Sequence, residues 1–137
     1  MIVDTSGLLA FVNRREPLHE KVVHVVEEAR ELIVSPYVVA EVDYLVATRL
    51  GVDAELAVLE ELSGGAWILA DFGQNDLQEA AAVIERYRDQ DIGLADASLV
   101  VLAHRHHTRR ILTLDHRHFT VLKPVGGGRY SLMPVLS

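Results

Sequence analysis

The sequence predicts an α/β protein: a parallel sheet covered by helices on both faces, in one domain spanning residues 1–137. Three observations predict it. Short continuous apolar runs, as expected of strands buried on both faces, recur along the chain. Stretches with apolar residues at helical spacing lie between them. No repeat, low-complexity segment or long linker interrupts the alternation.

The elements follow in order. Met1–Val3 is an apolar run ended by Asp4-Thr5-Ser6, residue types that favour helix starts, and Gly7–Val12 reads as a short helix. Pro17 opens a second helix in which Leu18, Val22, Val25, Val26 and Ala29 fall on one face, up to about Glu31. Leu32–Val34 is the next strand, stopped by Ser35-Pro36; a long helix then runs from Pro36 to Leu50, with Gly51 after it. Asp53–Leu62 is a helix ended by Gly64-Gly65, and Ala66–Ala70 a third strand. Asp76 with Glu79 resembles a capping box, opening a helix to about Tyr87. A helix over Leu94–His104, a strand over Arg110–Leu114 and a fifth strand within Tyr130–Val135 complete the chain.

Composition narrows the class. Half of the residues (50%) are hydrophobic and 24% charged, which excludes intrinsic disorder because too much apolar surface would be left in water. No apolar run approaches the roughly 20 residues needed to span a bilayer. Asp4 comes too early for a signal peptide. With no cysteine there is neither a disulfide framework nor a thiolate metal site. A reducing, cytoplasmic setting is the expectation.

In sheets of this kind, ligands bind beyond the carboxyl ends of the strands. Four carboxylates fall there. Asp4 follows the first strand, and Asp115 follows Arg110–Leu114. Glu41 lies one and a half turns into the helix after the second strand, and Asp96 in the first turn of the helix before the fourth. Each has a plainer reading. Asp4 could cap a helix, Asp96 could answer a helix dipole, and Asp115 could be a turn residue. Glu41 shares a helix face with Val38 and Leu45 and is expected to be buried, where a carboxylate is costly unless compensated, for example by Arg49. Asp43, on the other face, is expected to make a structural polar contact. Four converging acids would repel one another, and a hard divalent cation, Mg²⁺ or Mn²⁺, relieves this.

The formal charge of −7 first argues against nucleic acid as a partner, but it is unevenly spread. Residues 1–103 hold 7 basic and 19 acidic side chains, whereas residues 104–137 hold 6 basic and one acidic, Asp115. Arg105, Arg109, Arg110 and Arg117 lie in that basic quarter, which reads as a solvated face or as an anion-binding surface such as a nucleic-acid backbone would meet. So do five of the seven histidines, His104, His106, His107, His116 and His118, expected to be solvated or to face phosphate.

Met1-Ile2-Val3-Asp4-Thr5-Ser6, Ser35-Pro36 with Ala40-Glu41, Ile92-Gly93-Leu94-Ala95-Asp96-Ala97 and Leu112-Thr113-Leu114-Asp115-His116-Arg117-His118-Phe119 resemble the PIN-domain nucleases. More narrowly, the chain resembles the VapC ribonuclease toxins of bacterial toxin–antitoxin pairs, over almost its whole length. The resemblance implies a three-layer α/β/α sandwich and a Mg²⁺- or Mn²⁺-dependent endoribonuclease that cuts transfer or ribosomal RNA. It also implies homodimerisation and a cognate antitoxin. The family's acidic quartet falls on Asp4, Glu41, Asp96 and Asp115, and the hydroxyl after the first acid on Thr5, as a supporting residue. The role of Ser98, near another polar position, is open. Asp4 and Asp96 are the expected principal metal ligands, with Glu41 and Asp115 completing the site.

Two other classes put acids at strand ends or keep the fold without activity. A metal-dependent phosphatase would show Asp-x-Asp where this chain has Asp4-Thr5-Ser6, and a phospho-acceptor domain would place a lysine near the site, whereas Lys21 and Lys123 end no strand. A catalytically silent PIN-like binding module would have no need to sustain the repulsion of four acids.

Overall fold

The computed structural model of the protein describes residues 1–136; Ser137, the last residue of the predicted domain, lies outside the described residues. Along the chain, β1 (Ile2–Val3) leads into α1 (Thr5–Val12) and α2 (His19–Glu28), and β2 (Ile33–Val34) into α3 (Pro36–Leu50) and α4 (Val52–Ser63). Then follow β3 (Ile68–Leu69), α5 (Gln74–Arg86), a 3₁₀ turn at Arg88–Gln90, α6 (Leu94–Arg105), β4 (Arg110–Leu112), α7 (His118–Val121) and β5 (Ser131–Met133). The sheet is wholly parallel in the order β3-β2-β1-β4-β5 and is flanked by helices as a three-layer α/β/α sandwich.

β1 is central because its neighbours leave it no exposed face. Ile2 pairs with Ile33 on one side and Ile111 on the other, and none of the three is more than 1% exposed. β2 lies on one side of β1 and β4 on the other, so connections leave β1 in opposite directions. That junction is the topological switch point, where parallel sheets open a crevice. The residues just past β1 and β4 therefore meet there.

Several predicted boundaries shift for local reasons. β4 ends at Leu112: the Thr113 N–H still meets the Met133 carbonyl at 2.9 Å, but the Leu114 N–H turns to the Ser6 hydroxyl. β3 is an edge strand with Ile68 and Leu69 both exposed, against the expectation that every apolar run is covered on both faces. α5 starts at Gln74: Asp76 is not its first residue but reaches back to accept from the N–H of Gly73 at 2.8 Å. The turn at Arg88–Gln90 and α7, three and four residues long, are too short for a periodic signal.

α3 shows how a helix can be apolar nearly all round yet bury one stripe. Val38, Val42 and Val46 are its buried residues, and Ser35 caps it by accepting from the N–H of Tyr37 at 3.1 Å. Glu41 sits beside that stripe and is exposed, which corrects the expectation of a buried carboxylate.

α1 crosses the end of β4 at the closest possible range. A Cβ on Gly7 would meet the backbone of Leu112, with the carbonyl carbon 2.8 Å away, so only glycine fits. Gly7→Ala is expected to lower stability by about 1–3 kcal/mol, since backbone and not a flexible side chain must move. Urea denaturation checks this, and an unchanged midpoint would contradict it.

Candidate active site

The site begins with the end of β1. The Asp4 N–H donates to the Leu112 carbonyl at 2.9 Å, extending the ladder by one bond, and its side chain is only 8% exposed. Two hydroxyls hold its Oδ2: Thr113 donates at 2.8 Å and Ser6 at 3.1 Å. Each hydroxyl oxygen accepts a backbone N–H in turn, Ser6 from Leu114 and Thr113 from Asp115, both at 2.9 Å. These bonds fix the proton directions. A hydroxyl that accepts from a backbone N–H still has its own proton to give, and both hydroxyls have Asp4 Oδ2 as acceptor, which favours the ionised carboxylate.

Electrostatics pull against that ionised form. Burial raises the Asp4 pKa above its ordinary 3.8, the bonds from Thr113, Ser6 and the Thr5 backbone lower it, and the nearby Asp96 raises it again. Thr5 thus contributes its backbone N–H, while the supporting hydroxyls are those of Ser6 and Thr113.

Asp96 is placed by a second pair of hydroxyls. Ser98 is buried, donates to the Ala95 carbonyl at 2.6 Å and lies 2.7 Å from the Ser35 hydroxyl. Ser98 has spent its proton, so Ser35 is the donor between them. The bond ties the first turn of α6 to the end of β2, and this is the structural role of Ser98. His118 Nε2 stands 3.2 Å from Asp96 Oδ2, off the direction of a hydrogen bond. Asp115 is exposed, and its Oδ1 accepts the His118 N–H at 3.1 Å, so it also serves as the turn residue before α7. Glu41 is exposed on α3, one and a half turns past the end of β2. Among the described residues, no three acid or histidine side chains already stand as a metal cluster. The donor set nevertheless suits a hard cation. It offers a buried, hydrogen-bonded carboxylate with an acid beside it and oxygen ligands throughout.

Residues 1–123 match the family described as PIN domain. The chain belongs to the PIN domain family. It is 58% identical over 135 residues to Ribonuclease VapC26 of Mycobacterium tuberculosis, covering 98% of this chain and 100% of that one. Among solved PIN-like structures, Mycobacterium tuberculosis VapC20, a sarcin-ricin loop cleaving toxin, aligns with a TM-score of 0.79 at 16% identity, over 88% of this chain and 93% of that one. FitAcB from Neisseria gonorrhoeae aligns with a TM-score of 0.58 at 18% identity, over 80% and 84%. At these identities the structural likeness is one of fold.

The PIN sheet divides the basic residues expected to meet RNA. Arg109 and Arg110 stand at the start of β4, where Arg110 pairs with Ser131, on the edge opposite Asp4 and Asp115. Arg105 is engaged internally: its guanidinium meets Asp76 at 2.6 Å and the Asp71 carbonyl at 2.8 Å. Only Arg117 of the four follows Asp115 on the acid edge, and it is exposed. Linear clustering concealed this, because the chain crosses the whole sheet between residues 110 and 115.

Sequence reasoning missed Ser6, Thr113 and His118. The first two lie 107 residues apart and meet only because β1 and β4 are neighbours. Asp43 stands near the carboxyl of Glu55, whose pKa it raises, and among the described residues its buried Oδ1 has no hydrogen-bond partner.

Two outcomes follow from the cradle. Thr113→Val removes a donor to a buried carboxylate and strands the Asp115 N–H; it is expected to cost about 1.5–3 kcal/mol in urea unfolding at neutral pH. With no divalent cation, the folded protein binds a proton at Asp4 more readily than the unfolded chain does. The Asp4 contribution therefore falls as pH rises from 3.8 through its raised pKa and is constant above. Measured against Asp4→Asn, the parent protein should lose relative stability across that window; a relative gain would contradict the assignment.

Proposed function

We propose that this chain is a metal-dependent endoribonuclease and the toxin of a toxin–antitoxin pair, with Asp4, Glu41, Asp96 and Asp115 as its catalytic acids. The observation that carries the reading is the buried Asp4 carboxyl, hydrogen-bonded by Ser6 and Thr113 at the switch point beside Asp96. The VapC name of a relative at 58% identity supports RNA as the substrate class.

Asp4 and Asp96 would hold Mg²⁺ or Mn²⁺, with Glu41 and Asp115 completing the coordination directly or through water. When bound, such a cation supplies Lewis acidity that sharpens water as a nucleophile and neutralises charge on a phosphodiester. The chain's own residues set the geometry for this. Ser6 and Thr113 orient one face of Asp4 inward and leave its other oxygen for the cleft. Ser35 and Ser98 fix the α6 turn that carries Asp96. Glu41 and Asp115, both exposed, orient the attacking water, and Arg117 meets the RNA backbone on the same edge. Phosphate contacts of that kind position the strand without reading its sequence.

Transfer or ribosomal RNA remains the substrate class, and a cytoplasmic setting fits an RNA substrate. Among the described residues no helix is long and apolar enough to cross a membrane. An antitoxin segment bearing Arg or Lys would complement the acidic cleft and compete with the cation. Tyr44, Leu50, Val52 and Leu56, left exposed on α3 and α4, offer an apolar face to a second copy of the chain.

Incubation with total RNA and Mg²⁺, with new ends mapped by sequencing, is expected to reveal discrete cuts. Chelation of the cation should abolish them. Asp4→Ala and Asp96→Ala, each folded by circular dichroism, should lose cleavage altogether. Cutting by either variant at the parental rate would overturn the assignment.

A further inference from the structure

On the sheet edge away from Asp4, a cavity of about 250 Å³ opens between the end of α6, the start of β4 and the loop that enters β5. Five lining side chains can donate a hydrogen bond: His104, His107, Thr108, Arg109 and Tyr130. No carboxylate is among its described lining residues.

Two features mark it as built. Tyr130, 8% exposed, lines this cavity and a neighbouring one with Lys123 and Arg129, and among the described residues its buried hydroxyl has no hydrogen-bond partner, a costly arrangement that a ligand reaching it would relieve. Burial holds that phenol well above its ordinary range, so it keeps a proton to donate, and Arg109 is among the charges it feels. Independently, Arg109 is seated on the loop. Gly128 has φ of 93°, and a Cβ there would lie 2.9 Å from the Arg109 Cζ, so the left-handed glycine makes room for the guanidinium.

An anion here sits at the negative end of the α6 dipole, so the donors must offset it. The Thr108 hydroxyl accepts from the Arg110 N–H at 3.2 Å, which leaves its own proton to give. The terminal α6 carbonyls of Leu102, Ala103 and His104 are already taken by the N–H groups of His106, Thr108 and His107, so they present fewer bare lone pairs to an incoming charge. Histidine and arginine at a helix C-terminus also answer the helix dipole. That accounts for His104 but not for a stranded hydroxyl on Tyr130.

We infer that this cavity binds a phosphate group, with Arg109 supplying charge and Tyr130 and Thr108 supplying hydroxyl donors. It is smaller than the roughly 300 Å³ at which pockets for drug-sized ligands begin, so a single phosphate fits and the rest of any larger molecule stays outside. The same chemistry comes from free inorganic phosphate or from an RNA backbone. The inference does not depend on the acid site.

The test is calorimetric titration of the full chain with sodium phosphate against sodium chloride at matched ionic strength. Binding by the parent protein is expected, weakened about tenfold or more in Arg109→Gln and several-fold in Tyr130→Phe. Tyr130→Phe keeps the ring packed edge-on to Phe119 at 6.0 Å, so it decides the matter if Arg109→Gln fails to fold. A second titration uses short single-stranded RNA with the divalent cation chelated. Loss of RNA binding in step with phosphate makes the backbone the source; loss of phosphate binding alone makes it free phosphate. No phosphate binding by the parent, or equal binding by parent and variants, overturns the proposal.

Discussion

Everything at the acid edge depends on one buried carboxylate and the two hydroxyls that hold it. Burial raises the pKa of Asp4 and its donors lower it, and one of those donors, Thr113, comes from the other end of the chain. Ser6 and Thr113 are oriented toward it by the N–H groups of Leu114 and Asp115, which donate to their hydroxyl oxygens. The polarity of the network is thus set by backbone, which cannot reorient without unmaking the end of β4. Gly7 is the steric condition for the arrangement: any side chain there would push α1 off Leu112 and carry Ser6 away.

The same constraint links fold to chemistry. A sheet ordered β3-β2-β1-β4-β5 places the ends of β1 and β4 side by side at the point where connections diverge. Asp4 and Asp115 are brought to one edge by topology, and Asp96 by the Ser35–Ser98 bond across the top of β2. The opposite edge gathers Arg109 and Tyr130 with α6's last histidines. The protein therefore keeps its acids and much of its C-terminal basic charge on opposite rims of a narrow sheet.

The fold was largely legible, because strands buried on both faces and amphipathic helices leave periodic signals that survive in one dimension. α3 was read to the residue, since Ser35-Pro36 and Gly51 bracket it with capping chemistry. The edge strand β3 misled, because apolar sequence does not say whether a helix will cover it. The positions of Asp4 and Asp115 just past strands and of Asp96 in the first turn of α6 were legible for the same topological reason. What surrounds them was not. Ser6 with Thr113 and Ser35 with Ser98 are contacts across 107 and 63 residues, invisible to spacing. Glu41 looked buried because its helix is apolar all round, yet only the Val38–Val42–Val46 stripe meets the core. The basic run looked like one surface because residue number ignores a strand's length.

The central proposal is that Asp4 holds a divalent cation. Calorimetric titration of the metal-free protein with Mn²⁺, beside Asp4→Asn of confirmed fold, tests it most directly. The account predicts saturable binding by the parent that weakens as pH falls through the raised Asp4 pKa, and loss of that binding in the variant. Equal Mn²⁺ binding by both proteins, with the same pH dependence, would contradict it.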